Sequence, residues 1–468
     1  MKKIRILIIT IFCFLLVAPM VLFNWEENSI STIDNRALMN NPFGNNYIPE
    51  DGEERDITEE IEQYLQDRIG LRDQMIYAYT VLNDALLHNM VHPSYEYGKD
   101  GYVFMKSDRN RKFGDFELAY VDMLEKINTY CSERSIPFIF VLNPSKISIL
   151  RNELKDGINY NNEWLETFFD ELDKRGIKYV DNSEILQQKI NEGEMVFNKK
   201  YNAGHWNDLG AFFGVNNILK GMQESYPQLH INSKEEFLIN EVLNTSLPVS
   251  EFPIHEYEPV FELKDEVENR SDLYRDELSM HPDFPTFGYF VNENRKSEEN
   301  PKTLVFQGSY MNGMGYKFMM NSLNEYIYVH AYQNAINFDY YYNIFKPDFV
   351  ILENAEATLS GSFFFQEGME KMELPPSLKA FEAYVVEEDE LKKDSINIEE
   401  EKQLANITVK NLGDDVEYAY LIIGDEEFSM AKADNTYRVT VEKTKINKGE
   451  INVITICNGI KKIYKLIA

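Results

Sequence analysis

Along the 468-residue chain the rhythm of apolar and polar positions changes several times, and each change marks a different kind of element. The first is an uncharged run from Ile6 to Phe23, long enough to cross a hydrocarbon core if it stands nearly upright. From Ile57 to Met90 apolar residues recur at three- and four-residue spacing with a weak point near Gly70, which predicts two helices or one interrupted helix. EYGKDGYVFMK, from Glu96, then carries a Gly-Lys-Asp-Gly turn between short strands. Beyond it, helical and extended patterns alternate. A helical stretch around Glu117 to Arg134 leads into PFIFVL (137–142), an apolar run of the kind buried on both faces of a parallel sheet. Another, around Glu163 to Arg175, precedes GIKYVD. The order recurs at KTLVFQ from Lys302, a helix around Lys317 to Glu325, YIYVH, and PDFVILE from Pro347. Repeated strand-helix units predict an α/β fold, a parallel sheet flanked by helices.

Two stretches break that pattern. Between about 230 and 300 the chain is rich in Pro and Glu without a clear period, and reads as an insertion passing over the sheet. EEDELKK, from Glu387, is charge-dense and linker-like. After it come NITVKNL, YAYLIIG, NTYRVTVEK, INVITIC and KKIYKLIA, short β-branched runs separated by Gly, Asn and Asp, which predict a small antiparallel β-sandwich. The expected division is an N-terminal anchor (1–24), an α/β domain (25–385), a charged linker (386–395) and a β-sandwich domain (396–468).

Charge decides against some partners. With 47 Lys and Arg against 78 Asp and Glu, the net charge of -31 repels a phosphate backbone, so no nucleic-acid partner is expected. The same charge opposes broad attachment to anionic headgroups but leaves a hydrophobic anchor open. Lys2, Lys3 and Arg5 precede the apolar run and Glu26 and Glu27 follow it, so the positive-inside rule places everything after Asn24 outside the cytoplasm. No A-x-A-like site closes the run, which favours an uncleaved signal anchor over a cleaved signal peptide; with cleavage the protein is secreted. Outside the run only Cys131 and Cys457 remain, read as two buried thiols rather than a disulfide.

The candidate chemistry begins at Phe306-Gln307-Gly308-Ser309-Tyr310-Met311-Asn312-Gly313, which follows KTLVFQ and precedes a helix. Ser309 there sits at the carboxyl end of a buried strand, facing the crevice where α/β proteins bind ligands. Backbone N–H groups at the helix start suit an oxyanion hole. The placement is like a nucleophile elbow, although G-x-S-x-G is not matched, and a plain Gly-Ser turn is the alternative. His205 lies in YNAGHWNDLGA (201–211), a polar, glycine-containing loop before a predicted helix. It is either a packed structural residue or the base of a site whose other members lie elsewhere. His88 and His92 close a long helix, His230, His255 and His281 lie near the irregular insertion, and His330 ends a strand; none makes a strong metal-ligand spacing, so no metal or other cofactor is expected.

Several landmarks in order then resemble one family: Asp34-Asn35-Arg36, YLQDRIGLRD (64–73), GKDGYVF (98–104), LNPSK (142–146), GHWND (204–208), FQGSYMNG (306–313) and KPDFVILENAE (346–356). The chain resembles the SGNH-hydrolase-like O-acetyltransferases of the alginate-acetylation and DHHW type, exported or membrane-anchored proteins that modify polysaccharides. The resemblance implies an SGNH-like domain over 25–385, with Ser309 as acyl-accepting nucleophile and His205 as its general base. It implies transfer of acetyl through a serine acyl-enzyme to a hydroxyl of a cell-surface or secreted polysaccharide, beside a membrane-bound O-acyltransferase that supplies acetyl. The family places an aspartate two or three residues before the histidine, where this chain has Ala203 and Asn202. Three readings stay open: a slow Ser-His-Asn triad through Asn202, a triad completed by another carboxylate such as Asp208, or an inactive descendant that still binds glycan. A carbohydrate acetylesterase is a further alternative. Asp208 reads equally as a helix cap. Tyr310 and Trp206 are candidates to stack on a sugar ring, and Lys146, after Asn143-Pro144, to line the same crevice; each also has a plain packing or solvated reading. Glu356 matches a family acidic position, but Ala357 replaces the arginine expected after it, so no catalytic role is assigned to it.

Overall fold

The apolar runs of the middle of the chain become the strands of one sheet. The computed structural model describes residues 2–27, 29, 31, 38–44, 57–87, 90, 94–106, 109–247, 253–413, 415–446 and 449–466; Asp34-Asn35-Arg36, His88 and His92 lie outside them. The sheet contains β1 (Phe138–Asn143), β2 (Tyr179–Asp181), β3 (Glu268–Asn269), β4 (Phe287–Val291), β5 (Lys302–Gln307), β6 (Glu325–His330) and β7 (Phe349–Ala355), in spatial order β2-β1-β7-β5-β6-β4-β3. β2, β1, β7, β5 and β6 run parallel, while β4 and β3 add an antiparallel edge. β5 is central, with Leu304 opposite Ile327 on one side and Val350 on the other.

Both faces of this sheet are covered, which is why its strands read as unbroken apolar runs. Phe140, Leu142, Leu304, Phe306, Val350 and Leu352 pack with the helices Asp115–Glu133, Trp164–Lys174 and Phe338–Phe345. Ile139, Val141, Val305 and Ile351 pack on the other face with the helices Asp208–Met222 and Tyr316–Ser322. Each fully buried side chain of this kind contributes roughly 1.5–3 kcal/mol relative to exposure. The two helices expected in 57–90 are Ile57–Arg68 and Arg72–Leu87, broken at Gly70.

Among its described residues, the region expected to be an irregular insertion forms regular strands. Phe237–Ser246 and Pro253–Leu263 form a long antiparallel hairpin, and β3 and β4 join the sheet edge. Six successive residues of the first hairpin strand, Leu238 to Leu243, are exposed, so no single buried face imposed a two-residue period on the sequence.

In place of the expected β-sandwich, the C-terminal strands form one continuous eight-stranded sheet curled around its own core, which includes Ile407, Leu421, Phe428, Val441 and Val453, because neighbouring strands pair without a break that would divide them into two sheets. The charged stretch read as a linker is its edge strand, Val385–Leu391, paired parallel with Ile460–Leu466. Its acids face lysines across the pair, Glu388 to Lys465 at 2.9 Å and Asp389 to Lys462 at 2.7 Å, so a solvated edge strand carried the composition of a linker. This sheet is joined to the α/β domain by buried and half-buried polar contacts. Tyr130 Oη and Ser429 Oγ are 3.1 Å apart, Asn343 Nδ2 donates to the Ser429 carbonyl at 2.9 Å, and Arg134 pairs with Glu427 at 2.7 Å. Cys131 is buried and Cys457 half-buried; both are free thiols.

At the N-terminus, Lys3–Val21 is one apolar helix long enough to cross a membrane by length and composition. Its end is tied to the following helices: Gly70 N–H donates to the Pro19 carbonyl at 2.9 Å and Asn24 N–H to that of Arg68 at 2.8 Å.

Candidate active site

Ser309 stands where β5 ends. β5 closes at Gln307, Gly308 turns, and Ser309 opens a helical segment whose first turn is closed by Asn312 N–H donating to the Gly308 carbonyl at 3.0 Å. The segment is π-helical over Met311–Gly315 before continuing as Tyr316–Ser322. π-Helical turns inside helices recur at functional sites. First-turn N–H groups have no acceptor within their own helix, so those beside Ser309 are available to a developing oxyanion.

His205 comes from the other half of the chain, in the loop before the helix Asp208–Met222. Its Nε2 is 2.7 Å from Ser309 Oγ, a hydrogen bond that closes 104 residues of separation. The helix is capped by Asn207, whose side chain accepts Gly210 N–H at 3.0 Å. Asp208 therefore does not cap it. It accepts Phe261 N–H at 2.8 Å and pairs with Lys317 at 2.6 Å, away from the imidazole.

Asn202 does not hydrogen-bond the imidazole either. Its Nδ2 contacts Met314 Sδ at 3.9 Å, and its backbone is left-handed with φ of 56°. Asn enters that region more readily than most residues, which gives the position a conformational reason for its amide. Among the described residues no carboxylate pairs with His205. Burial is the sole cause acting on its ionisation and lowers it to about 4, so the ring is neutral and able to accept a proton at neutral pH.

The loop carrying His205 is held from several sides. Glu256, on the long hairpin, accepts the N–H groups of Lys199, Lys200 and Tyr201 at 2.6, 2.8 and 2.6 Å. Lys146 is fully buried below it, donating from Nζ to the carbonyls of Val103 at 2.7 Å and Lys199 at 3.1 Å; burial lowers this ammonium to about 7. It offers no face to a sugar. Trp206 and Tyr310 are likewise buried, at 0% and 3% exposure, so neither is a stacking platform. They brace the site internally: Trp206 Nε1 donates to the Tyr310 carbonyl at 3.2 Å, and Tyr310 Oη donates to the carbonyls of Gly204 and, at 3.1 Å, Pro144. A Cβ on Gly214 would lie 2.3 Å from the Trp206 ring, so only glycine lets the helix approach this indole.

No family model and no curated protein matches the chain. Solved structures similar to it include Bacillus cereus PatB1, at TM-score 0.45 and 16% identity over 59% of this chain and 98% of that one. The O-acetyltransferase domain of Pseudomonas putida AlgJ is similar at TM-score 0.40 and 12% identity over 60% of this chain and 99% of that one. A DHHW family protein from Eubacterium siraeum is similar at TM-score 0.40 and 12% identity over 59% of this chain and 94% of that one.

Two residues beside Ser309 escaped the sequence reading. Tyr332 has a left-handed backbone, φ 36°, and its buried phenol interacts with Thr358 and Ser309; burial pushes it up to about 12. Glu353, inside β7, accepts Gly308 N–H at 2.7 Å. A Cβ on Gly308 would stand 3.6 Å from Tyr332 Oη and 3.7 Å from Glu353 Oε2, which places both beneath the turn. A signal for Glu353 existed: an acid within an otherwise apolar buried strand needs a partner or a task. Tyr332 gave none, because left-handed backbone at a tyrosine leaves no trace in composition. Glu356 is buried too, accepting Ser145 N–H at 2.9 Å, Ser148 Oγ and Tyr160 Oη at 2.7 Å, and it serves to hold the segment that follows β1.

Proposed function

We propose that this chain is an extracytoplasmic acyltransferase with an SGNH-like site, moving an acetyl group through Ser309 onto a polysaccharide hydroxyl. The observation that carries the reading is the 2.7 Å contact between Ser309 Oγ and a half-buried, neutral His205 at the carboxyl end of the central strand. His205 Nε2 takes the hydroxyl proton as Ser309 attacks an acetyl carbonyl, and then returns a proton to the leaving group. A sugar hydroxyl, deprotonated by the same ring, attacks the acyl-serine and regenerates the enzyme. First-turn N–H groups of the helix opened by Ser309 receive the oxyanion in both halves.

The acetyl and polysaccharide assignments rest on the ordered motif series from Asp34 to Glu356. A membrane-bound acyltransferase as acetyl supplier and a retained N-terminal anchor belong to the same reading. That no carboxylate among the described residues pairs with His205 favours a second reading, a glycan-binding subunit with little turnover. In serine proteases, replacing the triad aspartate by asparagine costs about 10⁴ in turnover. Incubating the full chain in detergent with an activated acetyl ester, with and without acceptor glycan, separates the possibilities. Acceptor-dependent acetyl transfer supports the proposal. Acetate release indifferent to acceptor makes the protein an esterase, and no turnover with retained glycan binding makes it a binding subunit.

A further inference from the structure

Glu353 is fully buried, and its two carboxyl oxygens have separate partners. Oε2 accepts Gly308 N–H at 2.7 Å and Oε1 accepts Asn143 Nδ2 at 2.6 Å. The contacts continue beyond Asn143. Its Oδ1 accepts from Asn182 Nδ2 at 2.7 Å, and Asn182 Oδ1 accepts from Asn217 Nδ2 at 3.0 Å. Three amides thus run in file from the half-buried Asn217, on the helix Asp208–Met222, to the carboxyl under Ser309, each donating toward it.

A side-chain amide has a donor and an acceptor end, and turning it exchanges the two. With all three turned, Asn143 offers Oδ1 to Glu353, Asn182 offers Oδ1 to Asn143, and Asn217 is left to donate at the half-buried end of the file. That arrangement receives an O–H from a protonated Glu353, while Oε2 still accepts Gly308 N–H. The file therefore fits either state of the acid. The titratable groups close enough to feel the charge of this carboxyl are phenols: Tyr120 from the helix Asp115–Glu133, Tyr310 from the segment after β5, Tyr326 from β6, and Tyr332 after it. Among the described residues no Lys, Arg or His pairs with it.

We propose that Glu353 is a positioning residue for Ser309 that works as the neutral acid, fixing the Gly308 turn through Oε2 while the Asn143-Asn182-Asn217 file accepts its O–H as a hydrogen bond. This rests on Ser309 being the nucleophile. A neutral acid holds the Gly308 amide without bringing a net charge to the turn; an ionised one opposes the negative charge that develops on the acyl group. Burial pushes this carboxyl up to about 7 against the pull of its two donors, so the change of state falls near neutrality.

The test uses the full chain carrying Glu353→Gln or Glu353→Ala, with kcat and KM for an activated acetyl ester followed across neutrality. Wild-type kcat is expected to fall as pH rises through about 7. Glu353→Gln, an isostere of the neutral acid, is expected to keep most of the kcat and lose that fall. Glu353→Ala is expected to lose about a hundredfold in kcat with little change in KM, the scale of a misplaced nucleophile. Glu353→Gln as impaired as Glu353→Ala, or a fall that persists in Glu353→Gln, would overturn the proposal, and the glutamine variant decides the matter if the alanine variant does not fold. In a Ser309→Ala background, the infrared carbonyl band of the protonated acid, assigned by its loss in Glu353→Gln, is expected to vanish as pH rises. That band reports Glu353 without turnover, so its absence at low pH sinks this proposal alone, whereas acetyl turnover by Ser309→Ala sinks the nucleophile assignment alone.

Discussion

Trp206 and Tyr310 brace the two halves of the candidate site against each other. The residue after His205 donates to the carbonyl of the residue after Ser309, and the Tyr310 hydroxyl returns to the carbonyl of Gly204, just before His205. The 2.7 Å contact between base and nucleophile is thus held by two buried side chains. Tyr310→Phe is expected to keep the fold, at a cost of about 1–3 kcal/mol for the lost hydroxyl, the Gly204 carbonyl keeping only the longer bond from Lys146 N–H at 3.4 Å. Its kcat is expected to fall about a hundredfold with KM nearly unchanged, because the loss is in alignment. Denaturant unfolding and steady-state kinetics on the same variant check both.

Glu256 ties the long hairpin to the loop of His205 through three backbone N–H groups. Glu256→Ala is expected to lower kcat by about tenfold or more through looser placement of the imidazole. Glu256→Gln, with one accepting oxygen in place of two, is expected to fall between it and wild type. The comparison is kinetic, with hydrogen exchange at Lys199 to Tyr201 reporting the loosened loop.

Asn202 is tested by glycine, which takes the left-handed backbone freely and removes the amide. Because the amide meets Met314 and not His205, Asn202→Gly is expected to change the activation free energy by no more than about 0.5 kcal/mol. A loss comparable to that of His205→Ala would show that Asn202 orients the base in solution.

Burial lowers His205 to about 4, below the 6.5 of a free histidine, so the unfolded chain binds the extra proton first. Stability contributed in this way is present above about 6.5 and is lost as pH falls toward about 4, with each pKa unit worth ~1.4 kcal/mol. His330, also lowered to about 4 by burial, acts in the same window. His205→Gln is therefore expected to flatten part of the acid-side loss of stability and leave the remainder. Urea unfolding at several pH values measures the slope in each protein.

The sequence made the parallel strands legible because burial on both faces leaves an unbroken apolar run, as in PFIFVL and KTLVFQ. Ser309 stood out as a polar residue in a glycine turn that closes such a run, KTLVFQ, whereas His205, in a loop before the helix Asp208–Met222, was singled out as its base only through the ordered series of motifs that also contains Ser309. Trp206 and Tyr310 were noticed for their aromatic rings, but residue type does not say whether a ring faces a crevice or the core, and both face inward. The hairpin of 237–263 and the edge strand Val385–Leu391 were read as insertion and linker because exposed strands carry the composition of loops. Glu353 and Tyr332 owe their places to neighbours distant in sequence, and only the assembled sheet brings them under Ser309.

The central claim is that Ser309 carries the acyl group and His205 activates it. Peptide mass spectrometry after a short incubation with an activated acetyl ester, quenched in acid, tests it directly. The expected result is one acetyl group on the peptide containing Ser309, lost on addition of acceptor glycan and absent in Ser309→Ala and His205→Ala. Acetyl transfer to glycan that persists in Ser309→Ala would contradict the account.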